Sequence, residues 1–179
     1  MKKETKKEIF SWIWTLAVAF VIALFLNHYI IVNANVPTGS MENTIQPGDR
    51  LIGFRLSYQK EGPKRGDIII FNYPVDESET YIKRVIGLPG ETVQIIDGYV
   101  YINGEKLDEN YGAEVMNDAG RAAEPITLGD DEYFVLGDNR NRSDDSRYEN
   151  VENLKREKIV GRAWVRIWPL DRICVVRHQ

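Results

Sequence analysis

The chain has 179 residues, 43% hydrophobic and 28% charged, with a net charge of −4 at pH 7. That balance suits one globular domain with a short appendage, and the lack of any basic run beyond the N-terminus argues against a nucleic acid partner. One cysteine, Cys174, excludes an internal disulfide and a Cys-rich zinc site. The two histidines, His28 and His178, are not placed for a Ser-His-Asp triad, and HExxH, Walker A and GxGxxG motifs are missing, so no metal or cofactor is expected.

In chain order the first element is an apolar helix. Ile9 to Leu26 contains Ser11 and Thr15 as its only polar side chains, and no Asp, Glu, Lys or Arg occurs from Ile9 to Met41. At about 1.5 Å per residue, a helix from Ile9 to Tyr29 matches the ~30 Å of a bilayer's hydrocarbon core. Trp12, Trp14 and Tyr29 lie near its ends, where amphipathic rings favour the interface. Lys2, Lys3, Lys6 and Lys7 precede it, which by the positive-inside rule holds the N-terminus in the cytoplasm. The expected organisation is a cytoplasmic tail (1–8), a single-pass membrane anchor in contact with lipid (9–29) and a domain on the outer face (30–179). A cleavable signal peptide is the competing reading, since Val32-Asn33-Ala34 resembles a small-residue cleavage site. The apolar stretch is longer than the ~7–15 residues of a signal core, which favours the anchor. A buried helix of a soluble core fits less well, because the run is apolar on all faces.

After the anchor the pattern changes to short β-prone runs: Leu51–Leu56, Asp67–Tyr73, Tyr81–Leu88, Thr92–Ile96, Tyr99–Ile102, Glu132–Leu136, Ile159–Ile167 and Ile173–Val176. Asp97-Gly98 and Asn103-Gly104 mark tight turns. Helical periodicity is limited to a polar stretch near Glu149–Glu157. The expected fold is therefore mainly β, of packed sheets or a barrel, behind one N-terminal transmembrane helix. Pro74–Thr80 reads as an acidic hairpin tip. Lys106–Pro125 reads as a long surface loop or a small cap inserted in the domain.

Three segments could carry chemistry. Val36-Pro37-Thr38-Gly39-Ser40-Met41 sets a serine in a turn just outside the anchor, where a hydroxyl needs an adjacent base to become a nucleophile. Tyr81-Ile82-Lys83-Arg84-Val85-Ile86 sets a lysine within an apolar strand. Burial disfavours the ammonium, and a neutral amine can act as a general base. Gly137 to Arg147 follows a core strand with dense polar residues, as a structured loop would. Taken singly, each segment has an ordinary explanation: a juxtamembrane turn, a lysine reaching solvent from an edge strand, a solvated loop.

Together, and in this order behind the anchor, the segments resemble the type I signal peptidases. Ser40-Met41, Thr44 and Pro47-Gly48-Asp49 look like that family's nucleophile box. Arg65-Gly66-Asp67-Ile68-Ile69-Ile70-Phe71 and Lys83-Arg84-Val85-Ile86-Gly87-Leu88-Pro89-Gly90 resemble its next two blocks. Gly137-Asp138-Asn139-Arg140 with Ser143, Asp145, Ser146 and Arg147 resembles the last. The resemblance implies a membrane-bound serine endopeptidase that removes signal peptides from secretory preproteins after small residues. It implies Ser40 as nucleophile, Lys83 as general base, Ser143 orienting the lysine, and the Ser40 N–H with the Thr38 hydroxyl as oxyanion hole. Asp145 and Arg147 would hold the loop. Val36, Pro37, Met41, Ile45, Tyr81 and Ile82 would line the substrate pockets. The chain departs from the family's usual pattern at Thr38, where serine is common, and at Asn141-Arg142, where Asp-Asn is usual. Two alternatives stand beside this reading: another Ser/Lys peptidase such as a self-cleaving repressor, which would carry a DNA-binding region where this chain has its apolar helix, and a membrane-tethered β module that only binds exported peptides.

Overall fold

The computed structural model describes residues 2–74, 76, 78–111, 114–148 and 153–178, with side chains from position 7 onward. Helix α1 (Lys2–Phe25) continues into a π-helical turn (Leu26–Ile30). Its span Lys7–Ile30 is long and apolar enough to cross a membrane, and its side chains are exposed from Lys7 to Tyr29. A helix apolar on every side is typical of a buried core or a membrane span, and none of this helix's apolar window is buried within the protein.

The strands that follow are β1 (Ile31–Asn35), β2 (Arg50–Phe54), β3 (Ile68–Asn72), β4 (Thr80–Gly87), β5 (Thr92–Ile96), β6 (Tyr99–Ile102), β7 (Glu105–Lys106), β8 (Ile126–Thr127), β9 (Glu132–Leu136), β10 (Leu154–Lys155), β11 (Ile159–Trp168) and β12 (Cys174–Val175). The larger sheet runs β1-β2-β11-β3-β4-β9-β10, with β12 also on β11; the smaller runs β7-β6-β5-β8. All the pairings are antiparallel. The mainly β expectation holds. Strand β1 and the two-residue strands β7, β8 and β10 lie outside the expected runs; for the last three, two residues leave no periodicity to read.

Both tight turns form as expected. Asp97 (φ 51°) and Gly98 (φ 79°) join β5 to β6 in the left-handed conformation that such two-residue hairpins require. The acidic segment 74–80 connects β3 to β4, which pair from Ile68↔Arg84 to Asn72↔Thr80; positions 75 and 77 lie outside the described residues. The helical reading of 149–157 is corrected where it can be seen. Leu154–Lys155 is a strand on β9, followed by a 3-10 turn at Arg156–Lys158, because cross-strand pairing and burial of Leu154 outweigh local helical preference. Residues 149–152 lie outside the described set. The segment Lys106–Pro125 is mostly irregular, with a 3-10 turn at Gly120–Ala123. It buries Met116 and Ala122 against the smaller sheet.

Alternation along β3 and β4 divides the core. Ile68, Ile70 and Ile82 face a cluster with Val36, Met41 and Ile45, whereas Ile69, Phe71 and Val85 face one with Tyr133 and Leu154. His178 ties β3 to β11: its Nδ1 accepts from the Ile68 N–H at 3.0 Å and its Nε2 bonds the Ala163 carbonyl at 2.8 Å. Burial pushes its pKa down, in keeping with a neutral ring that accepts at Nδ1. Ile70→Ala should destabilise the domain by about 2–5 kcal/mol, as a fully buried aliphatic truncation does, measured as a lower urea midpoint at unchanged slope.

Candidate active site

Ser40 sits in the connection between β1 and β2. The chain there is folded by Glu42 N–H to Gly39 O (3.0 Å), Ile45 N–H to Met41 O (2.8 Å) and Gly48 N–H to Val36 O (2.8 Å). The i to i+4 bond makes one helical turn, which puts Met41 and Ile45 on a shared inward side, each 1% exposed. This apolar footing fixes the turn that carries Ser40.

Lys83 lies within β4, opposite Ile69 of β3, on the strand face shared with Tyr81 and Val85. It is 3% exposed. Its Nζ lies 2.8 Å from Ser40 Oγ and 5.3 Å from the centre of the Tyr81 ring. Burial brings the Lys83 pKa down to about 8. The nearby carboxylates of Asp145, Asp144 and Asp138 oppose that shift, and the Arg147 guanidinium adds to it. When the ammonium is charged it donates to Ser40 Oγ. When it is neutral, its lone pair can accept the hydroxyl proton, which is the geometry a general base needs.

The next residue in β4, Arg84, points to the other face. Its Nε and Nη2 donate to Asp138 Oδ1 and Oδ2 at 2.8 and 2.7 Å, and its Nη1 donates to Gly66 O at 2.8 Å. Both partners are nearly fully buried. Asp138 also accepts from Thr44 Oγ1 at 2.5 Å, so one carboxylate joins β4 to the serine turn. Asn139 completes the connection: its N–H donates to Ser40 O at 3.1 Å, and its Nδ2 donates to Gly39 O and Glu42 Oε2, each at 3.0 Å. The resemblance had assigned no role to Arg84, Asp138 or Asn139. A second ionisable residue beside Lys83 in an apolar strand was the signal that could have pointed to a buried counterion.

The loop 137–147 is held from within. Arg147 donates through Nε and Nη2 to the two Asp145 carboxylate oxygens (2.8 and 2.9 Å) and from Nη2 to the carbonyl of Arg140 (2.6 Å). Asp145 Oδ2 accepts from the Gly137 N–H at 3.2 Å. Gly137 is a position of close approach, because a Cβ there would lie 2.2 Å from Ser143 Oγ and 2.4 Å from Ser40 O. The expected bond from Lys83 to Ser143 is not formed. Lys83 is bonded to Ser40, and Ser143 Oγ is buried with no hydrogen-bond partner among the described residues.

A cleft of about 870 Å³ opens over these groups. Val36, Pro37, Thr38, Ser40 and Met41 line one side, Tyr81, Ile82 and Lys83 another, and Ser143 with Asp144 a third. Ile45, expected among the pocket walls, is corrected. It does not reach the cleft, because the helical turn at Met41 rotates it into the core with Val36 and Leu51. Thr38 is exposed and borders the cleft beside Ser40. Among the described residues no group of His, Cys, Asp and Glu is arranged to hold a metal ion.

Comparison with known proteins identifies the family. The family model described as "Signal peptidase, peptidase S26" matches residues 9–168. The probable signal peptidase I-2 of Synechocystis sp. is 42% identical over 96% of this chain and 80% of its own length. The signal peptidase I of Bacillus licheniformis is 33% identical over 94% of this chain and 93% of its own. A crystal structure of a signal peptidase I from Enterococcus faecalis superposes with a TM-score of 0.49 and 38% identity, over 57% of this chain and 97% of that one. Because the family match and the relatives both extend over nearly the whole sequence, this chain belongs to the S26 signal peptidases and is a serine endopeptidase of the signal peptidase I type.

Proposed function

We propose that the chain cleaves secretory preproteins with Ser40 as nucleophile and Lys83 as general base. The observation that carries this reading is the 2.8 Å separation of Lys83 Nζ and Ser40 Oγ in a site where the amine is almost excluded from water. Ser40 Oγ attacks the scissile carbonyl as Lys83 Nζ takes its proton. The oxyanion is met by the Ser40 N–H and the Thr38 hydroxyl, donors of the kind that typically contribute ~3–4 kcal/mol to the transition state. The Lys83 ammonium then protonates the departing amine, and the neutral amine so regenerated deprotonates the water that hydrolyses the acyl-enzyme ester. Ser143 Oγ, buried and unpartnered among the described residues, is available to take the lysine's hydrogen bond once the Ser40 oxygen becomes an ester.

Val36, Pro37, Met41, Tyr81 and Ile82 form the apolar walls for the small substrate side chains. An extended peptide in the cleft would also displace water and so favour the neutral amine. The apolar helix anchors the enzyme in the cell membrane, in contact with lipid, with Lys2, Lys3, Lys6 and Lys7 on the cytoplasmic side and the catalytic domain on the outer face. A nucleophile held a few residues beyond the anchor meets the cleavage site where a signal peptide leaves the bilayer. The tail (1–8), anchor (9–29) and outer domain (30–179) follow from that placement.

Ser40→Ala should abolish preprotein cleavage, followed by sequencing the new N-terminus, while leaving the unfolding midpoint nearly unchanged; normal cleavage by this variant would refute the nucleophile assignment. The pH profile of kcat/KM should rise through an acidic limb near 8, since activity requires the neutral amine. A limb near the ~10.4 of a free lysine would exclude a desolvated base.

Stability gives an independent measure. Between about 8 and 10.5 the unfolded chain binds more protons at position 83 than the folded one, so this residue's contribution to stability rises with pH across that window. Below it the whole penalty for burying the ammonium is present. Lys83→Met should therefore be inactive yet more stable at pH 7 by about 1–3 kcal/mol, with the difference shrinking by pH 10, measured by urea unfolding at both pH values.

A further inference from the structure

The inserted segment between β7 and β8 does more than cover the smaller sheet. It is fastened there at two points, Leu107 N–H to Val100 O (2.9 Å) and Met116 N–H to Gly98 O (3.1 Å). From that base it reaches the loop 137–147 repeatedly. Glu109 pairs with both terminal nitrogens of Arg140, with Oε2 at 2.9 Å from Nη1. The Asp118 carbonyl accepts from Arg147 Nη1 at 3.1 Å, and the Arg121 N–H donates to Arg147 O at 2.9 Å. The Tyr111 ring lies 4.0 Å from the Arg84 guanidinium, the partner of Asp138.

The departure from the family's usual pattern at position 141 lies on the same seam. The Asn141 amide donates to Glu114 Oε2 (3.0 Å) and Val115 O (3.1 Å), and its Oδ1 accepts from the Asn117 N–H (2.9 Å). An aspartate there would keep only the last of these bonds and would repel Glu114.

The consequence reaches the reacting groups through a short rigid path. Arg140 is 1% exposed, and its Nε donates to Gly137 O at 3.2 Å. Gly137 packs directly against Ser143 and the Ser40 carbonyl. A buried guanidinium deprived of its carboxylate must shift toward another acceptor or toward water, and any such shift is passed to Gly137. We propose that Glu109 is a positioning residue for the signal peptidase reaction, acting through Arg140 and Gly137 to hold the Ser143 wall closed over Ser40 and Lys83.

This inference rests on the Ser40–Lys83 reading, so its test includes a readout that does not. In the full chain in detergent, Glu109→Gln should lower kcat for a preprotein roughly tenfold or more, with KM within about twofold, as a small misplacement of reacting groups does. Loosening the wall admits water to Lys83, so the acidic limb should move to higher pH. Backbone amides of 137–147 should exchange faster, whichever residue is the nucleophile. Glu109→Asp, which keeps the charge, should recover part of kcat; if Glu109→Gln fails to fold, this variant carries the same readouts at smaller amplitude. A lower melting temperature with kcat and the pH limb unchanged would make the segment purely structural and overturn the proposal, as would unchanged exchange in the loop. Cleavage persisting in Ser40→Ala, run alongside, would instead overturn the mechanism on which the proposal rests.

Discussion

An amine held away from water beside a serine hydroxyl is the constraint around which this domain is arranged. On the proposed reading Lys83 serves as a base only while it stays desolvated, and desolvation is unfavourable to the ammonium it otherwise becomes. Three carboxylates nearby work against the shift, and a guanidinium among them works with it. The pKa of about 8 is the balance of these effects. A base poised close to ambient pH can both take a proton from serine and return it to a leaving amine.

Holding that balance requires rigid surroundings, and the structure supplies them with buried ion pairs. Arg84–Asp138, Arg147–Asp145 and Arg140–Glu109 are largely buried pairs, all three made within or onto the loop 137–147. Such pairs add little net stability compared with apolar packing, because the desolvation penalty offsets the attraction. They do fix orientation: each guanidinium has several donors in a plane, and here each donates to backbone carbonyls as well as to its carboxylate. The serine turn, the lysine strand and the loop thus meet at Asp138, Asn139 and Gly137. A strand-to-loop junction within bonding range of Ser40 O, Gly39 O and Thr44 leaves Ser40 little freedom.

The smaller sheet contributes to the same end. On the proposed reading, its inserted segment braces the loop from outside the cleft while the walls of Val36, Met41 and Ile82 face the substrate. Substrate contact and loop support are then separate surfaces, so the cleft can open to a peptide without giving up the contacts that keep Lys83 dry.

Much of this was legible from residue order. The apolar run beginning at Ile9, the β-prone runs that form β3 and β4 and the Asp97-Gly98 turn are local signals, because length, composition and allowed φ depend on near neighbours alone. Ser40 and Lys83 had ordinary readings when taken singly, and it was the order of the family-like blocks around them that singled them out. What residue order left open was long-range. That Arg84 would find Asp138, that Leu154 would pair with β9 as a strand and not continue a helix, and that Glu109 would meet Arg140 all depend on segments tens of residues apart arriving at one place. Burial turns a polar side chain from a solvated group into one that must be paired, and only the packed fold determines which groups are buried and which partners are within reach.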